Sequence, residues 1–137
     1  MGALRPEIQI ETALFPLRRT AVERSVTSFV AEAFSRAPEL PAVACTSILE
    51  TIAEKLVGLT RRAGAELAGL REERDPTLVR HVHDIHAVRD HYNAADVAEL
   101  AREIMAADAA MRGQSFPAYQ ADPLAETLKA LIMRRTT

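Results

Sequence analysis

Three of the four histidines stand in one string, Arg80-His81-Val82-His83-Asp84-Ile85-His86, where imidazoles and a carboxylate at short spacing raise metal binding as the first chemistry to consider. The surrounding periodicity places the string inside a helix, in which successive residues diverge by about 100°. His81 and His83 therefore cannot both face a metal that Asp84 and His86 share. Only His83 and His86, at i and i+3, converge with Asp84. A small helical metallohydrolase using His83, Asp84 and His86 thus stands against a plainer reading, a partly exposed polar helix face. A second set is cationic: Lys55, Arg61 and Arg62 lie within two turns of one helix. Such cations hold anions, and they also offset the dipole of any helix whose later turns carry them. Glu11, next to Gln9 and Ile10, is by itself a carboxylate on the solvated side of a strand.

These residues need elements to position them. Ile8 and Ile10 alternate with Gln9 and Glu11, and a period of two means a strand, which Pro16 ends. From Ser25 the period changes: Val26, Phe29, Val30, Ala33 and Phe34 line one side of a helix that Ala37-Pro38 stops. Pro41 to Cys45 is a short apolar strand or extended link. Ser47 and Glu50 form a capping box, and the helix they open turns Leu49, Ile52, Ala53, Leu56 and Leu59 inward, with Glu50, Glu54, Lys55 and Arg61 on other faces. Gly64 marks a stop or bend. Asp75-Pro76 and Asp122-Pro123 are helix starts, an acceptor followed by proline. The first opens a helix with Leu78, Val82 and Ile85 buried, and the second one with Leu124, Leu128, Leu131 and Ile132 buried. Between them a helix begins near Asn93 to Asp96, buries Val97, Leu100, Ala101 and Ile104, and ends around Gly113. The class is mainly α, α+β in detail: a short N-terminal strand region followed by a bundle of about five helices.

Composition narrows the function. Aromatic residues make up 4% and tryptophan is absent, so the core is one of small and branched aliphatic side chains. A net charge of -2 excludes general electrostatic adhesion to nucleic acid or anionic lipid, leaving local basic patches. One cysteine, Cys45, excludes an intrachain disulfide framework and a multi-cysteine metal site, and suits a reducing cytoplasm. No apolar run is long enough for a membrane helix, so no membrane partner is expected. At 137 residues the chain supplies one core, a size at which few complete enzymes build a metal and nucleotide site between two lobes.

Read together, Ile8-Gln9-Ile10-Glu11, the segment from Glu23 to Phe34, the Glu54-Lys55-Leu56 box in its capped helix, and Arg80-His81-Val82-His83-Asp84-Ile85-His86 resemble a known family. They look like the C-terminal half of the nucleotidyltransferase toxins of the AbiEii/AbiGii family, from type IV toxin–antitoxin and abortive-infection systems. The resemblance implies a nucleotidyltransferase-like sheet, of which residues 1–45 are a remnant, followed by a C-terminal helical domain over residues 46–137. By resemblance, Glu11 stands at the family's third metal-binding carboxylate, Lys55 at the lysine of its EKL box and Asp84 at the aspartate of its second box. Lys55 is then the phosphate-facing cation, Asp84 orients it or positions the acceptor, and Arg80 adds a phosphate contact.

The family also has a G-[GS]-[ST] segment and a D-x-D pair, and neither occurs in this sequence. The resemblance implies Mg²⁺ and a nucleoside triphosphate as cofactor and substrate, yet one carboxylate does not hold two metals against a triphosphate. The expectation is a chain that binds neither well alone and transfers no nucleotide by itself, the distal half of a split, truncated or decayed toxin. The alternative is a complementation module for a separately encoded N-terminal nucleotidyltransferase lobe, with sheet strands left exposed. Further implied partners are a cognate antitoxin, which need not touch the toxin, and a tRNA or other nucleic-acid acceptor.

Overall fold

The computed structural model describes residue 12, residues 16–71 and residues 78–133. The order of elements is β1 (Val22–Val26), α1 (Phe29–Ala33), β2 (Leu40–Cys45), α2 (Ile48–Leu67), α3 (Leu78–Ala87), α4 (Ala94–Arg112), α5 (Pro117–Ala121) and α6 (Pro123–Met133). Single 3₁₀ turns at Arg89–His91 and Gly113–Ser115 lead into α4 and α5. The mainly helical class is the class observed, with a two-stranded antiparallel sheet ahead of the helices. The strand around Ile8 and Ile10, Glu11 with it, and the Asp75-Pro76 start lie outside the described residues.

The longest helix, α2, starts where the sequence places it. Ser47 Oγ accepts from the backbone N–H of Glu50 at 3.2 Å, one half of the capping box. The other half is replaced. The Glu50 carboxylate, 1% exposed rather than on an outer face, accepts from the backbone N–H groups of Arg18 at 2.7 Å and Arg19 at 3.0 Å. Two donors stand in for the water this carboxylate has lost, and they tie the segment ahead of β1 to the first turn of α2. The far end of α2 also differs from expectation. Gly64 is buried inside the helix, where a Cβ would lie 3.4 Å from the Phe116 ring, so its bare backbone seats the aromatic side chain. The stop comes at Gly69, at φ 70°, with Leu70 N–H donating to Ala65 O at 2.9 Å and Gly69 N–H to Glu66 O at 3.1 Å. That is a Schellman pattern, and glycine adopts its left-handed residue without a Cβ clash.

Packing makes α2 the spine. Ile52, Ala53 and Val57 meet Val97, Leu100, Ala101 and Met105 of α4, and Ile85 and Val88 bring α3 and its following turn onto the same cluster. A second cluster joins Ala109, Phe116 and Tyr119, whose rings stack at 5.7 Å. Beside it Arg61 Nε lies 2.8 Å from Asp108 Oδ2, and Arg112 Nε 2.9 Å from Asp108 Oδ1. Burial, together with the charge of Asp108, pushes the Tyr119 hydroxyl pKa up. The Asp122-Pro123 start is realised, with Asp122 Oδ1 accepting from Ala125 N–H at 2.9 Å.

Three apolar stripes read from the sequence are not buried as expected. The stretch from Ser25 does not form one helix: Val26 ends β1, which pairs Val22 with Cys45 and Val26 with Leu40, and the register slips by one residue beside Pro41, which has no N–H to donate. Ser28 then caps a helix of only 5 residues that buries Ala31 alone, leaving Phe29 90%, Val30 60% and Phe34 69% exposed. In α3, Val82 is exposed because His81, Asp84, Ile85 and Val88 form the face turned to α2, and Val82 lies about 100° away from His81. In α6, Thr127 is buried while Leu124, Leu128 and Ile132 are exposed; the side chain of Leu131 lies outside the described residues.

The Glu50 clamp yields a prediction. Glu50→Ala removes the acceptor of two backbone donors and is expected to lower unfolding free energy by about 1–3 kcal/mol in urea titrations. It also releases Arg18 and Arg19 to faster tryptic cleavage, and an unchanged cleavage rate at those two arginines contradicts the clamp.

Candidate functional site

Helical spacing brings the site together. Lys55 and Arg62 are seven residues apart, two turns of α2, and so share a face. Arg80, His81 and Asp84 lie at i, i+1 and i+4 on α3, whose contact through Ile85 lays that side over α2. Lys55 Nζ donates to Asp84 Oδ2 at 2.8 Å, and Arg62 Nη1 is 3.5 Å from His81 Nε2. Lys55, Arg62, Arg80, His81 and Asp84 line a cavity of about 330 Å³. A second cavity, about 250 Å³, opens on the other side of the same ion pair, lined by Ile48, Thr51, Ile52, Ala87 and Val88 as well as Lys55 and Asp84.

The hydrogen bond from Lys55 holds the Asp84 carboxyl below its ordinary pKa, with the Lys55 charge and His83 adding to it against a desolvation that opposes. Asp84 is therefore an anion that restrains the Lys55 ammonium. One residue before Lys55, burial and the neighbouring Glu50 carboxylate raise the Glu54 pKa. Among the described residues, Lys55, Arg62, Arg80 and His81 line the larger cavity together with one carboxylate, Asp84, which accepts from Lys55. That set suits a clustered phosphate anion. It does not suit Mg²⁺, which takes oxygen ligands and is repelled by the cations.

The structure sorts the sequence candidates. Lys55, Arg80 and Asp84 come together; Glu11 lies outside the described residues. Of the string read for metal, His83 is exposed with Nδ1 3.7 Å from Asp84 Oδ1, while Arg89 Nη1 lies 2.8 Å from His86 Nε2. A guanidinium at that ring nitrogen does not leave it to a metal, and no group of three His, Cys, Asp or Glu among the described residues converges on one. The metallohydrolase set is thereby overturned. Arg61 belongs to the Asp108 pair and not to the site. Arg62 and His81 do belong to it; the i, i+7 spacing from Lys55 and the i, i+3 spacing to Asp84 are the signals that find them.

A family model described as "Nucleotidyl transferase AbiEii toxin, Type IV TA system" matches residues 1–136, nearly the whole chain. No curated protein and no solved structure matches it.

Asp84 sets a pH dependence. Its folded pKa lies below the ordinary 3.8, so the stability it contributes is present above that value and is lost as pH falls through the folded pKa. The stability difference between wild type and Asp84→Asn, measured by urea unfolding, is expected to be constant from pH 7 to about pH 5 and to shrink below about pH 4. A difference that grows on acidification contradicts the assignment.

Proposed function

Since the chain belongs to the AbiEii family of nucleotidyltransferase toxins of type IV toxin–antitoxin systems, we propose that the cavity between α2 and α3 is the phosphate-holding part of a nucleotidyl-transfer site. The family's chemistry uses a nucleoside triphosphate and a metal, and its system implies an antitoxin counterpart. The observation that carries the proposal is the 2.8 Å pair between Lys55 and Asp84, one from each recognisable box, in the lining of a cation-rich cavity.

In the transfer, an acceptor hydroxyl attacks the α-phosphorus and a new P–O bond forms as the bond from the α-phosphorus to the bridging oxygen breaks; pyrophosphate leaves with that oxygen and its electron pair, and the hydroxyl proton passes to water. Lys55, Arg62 and Arg80 neutralise phosphate charge, which counts most as charge builds on the leaving pyrophosphate. Asp84 keeps the Lys55 ammonium aimed at the cavity. The acceptor is a tRNA or another nucleic acid, and the working compartment is the cytoplasm. Glu11 carries over from the family as a metal-facing carboxylate, and with no G-[GS]-[ST] segment or D-x-D pair the chain alone lacks the remaining ligands. It contributes half of an active site: residues 1–45 belong with the nucleotidyltransferase lobe and 46–137 form the helical domain.

A complementation reading has its own support. Among the described residues, Phe29, Val30, Phe34 and Leu40 are exposed beside a sheet of two strands, and such a pair gains stability from a further strand or a packed layer. The patch centres on α1 and not on Val43 to Cys45. On this reading a lobe carrying the missing carboxylates covers the patch, and Lys55 and Asp84 complete its site.

Two experiments test the two readings. The purified chain, incubated with each labelled nucleoside triphosphate, Mg²⁺ and a tRNA pool, is expected to transfer no label; robust transfer contradicts the half-site reading. A separately expressed lobe bearing the two missing motifs is expected to be retained by the wild-type chain and lost with Phe29→Asp. Equal retention of both removes the complementation reading.

A further inference from the structure

The Lys55–Asp84 pair is a partition between two unlike cavities. On one side lie Arg62, Arg80 and His81; on the other lie Ile48, Thr51, Ile52, Ala87 and Val88, with Thr51 the single uncharged polar side chain. A ligand that touches both must be strongly anionic at one end and flat and apolar at the other, with polar groups between to meet an ammonium and a carboxylate. A nucleoside triphosphate has this build. We infer that the cavity of about 250 Å³ is the subsite for its nucleobase, with Ile48, Ala87 and Val88 against the ring and the triphosphate in the cationic cavity.

This rests on the proposed nucleotide-transfer reading and adds to it where the base sits and how it is read. Lys55 then meets the phosphates nearest the ribose, and Asp84 accepts from a ribose hydroxyl. The closely grouped cations favour a triphosphate over RNA, whose charges are spread one per nucleotide along the backbone. Aliphatic walls give area and little hydrogen-bonding discrimination, since one hydroxyl both donates and accepts. The subsite demands a ring and discriminates weakly between rings.

The test is a chemical-shift titration of the full chain, which reads weak affinities, with inorganic tripolyphosphate, each of the four nucleoside triphosphates, and an RNA trinucleotide. The nucleoside triphosphates are expected to bind at least about tenfold more tightly than tripolyphosphate, as burial of one ring allows, and within about fivefold of one another. Ala87→Trp, at an exposed position that tolerates the larger side chain, fills the subsite. It is expected to bring the nucleoside triphosphates down to the tripolyphosphate level while leaving tripolyphosphate unchanged. Arg80→Gln is expected to weaken both alike.

Equal binding of tripolyphosphate and nucleoside triphosphates to the wild type, or a preference that survives Ala87→Trp, overturns the base subsite and leaves the phosphate reading standing. Tighter binding of the trinucleotide that Ala87→Trp abolishes assigns the cavity to the acceptor and overturns the inference. Binding of none of these ligands overturns the inference and the proposed function together.

Discussion

The hydrogen-bonded ion pair between Lys55 and Asp84 is the constraint on which the site depends. It joins two consecutive helices through residues 29 positions apart, fixes where an otherwise flexible ammonium sits, and stands between a cationic and an aliphatic cavity. Its charges are partly exposed, so screening by water keeps it from being a strong source of stability. Its worth is positional. The folding energy comes instead from the α2–α4 core, where small and branched side chains let the helices approach closely.

The spine helix carries both jobs on different faces. Ile52, Ala53 and Val57 bury one side against α4, Lys55 and Arg62 present another to α3, and Glu50 grips the backbone at Arg18 and Arg19. The Glu50 clamp ends five residues before Lys55, so the segment leading into β1 is held within two turns of the site-bearing lysine. A change in that segment is therefore mechanically close to the cavity. At the other end Gly64 and Phe116 lock α2 to the helices that follow.

Much of this was legible from residue order, and what was not has physical causes. Start signals that act through local hydrogen bonds, Ser47 and Asp122, are read correctly because cap and helix are neighbours in sequence. Lys55 and Asp84 are singled out by a resemblance; spacing alone does not separate them from ordinary surface charges. Glu50 was misread because its partners lie about thirty residues upstream, beyond any local pattern. The metal reading of the string at 80–86 fails because the orientation of α3 is set by its packing on α2, and that orientation brings Arg80, His81 and Asp84 together rather than His83, Asp84 and His86. The stripe from Val26 to Phe34 failed because apolar spacing is shared by buried helices and by surfaces, and β1 claimed its first residue through pairing with β2.

On the proposed function, Lys55 and its cationic neighbours receive phosphate while Asp84 holds the lysine in place. The most direct measurement is a crystal structure of the full chain soaked with a non-hydrolysable nucleoside triphosphate. Phosphate oxygens are expected within hydrogen-bonding distance of Lys55 Nζ and of the Arg80 guanidinium, with the α2–α3 arrangement retained. Triphosphate density bound elsewhere on the protein, with the Lys55–Asp84 pair intact and its cavity holding only water, would contradict it.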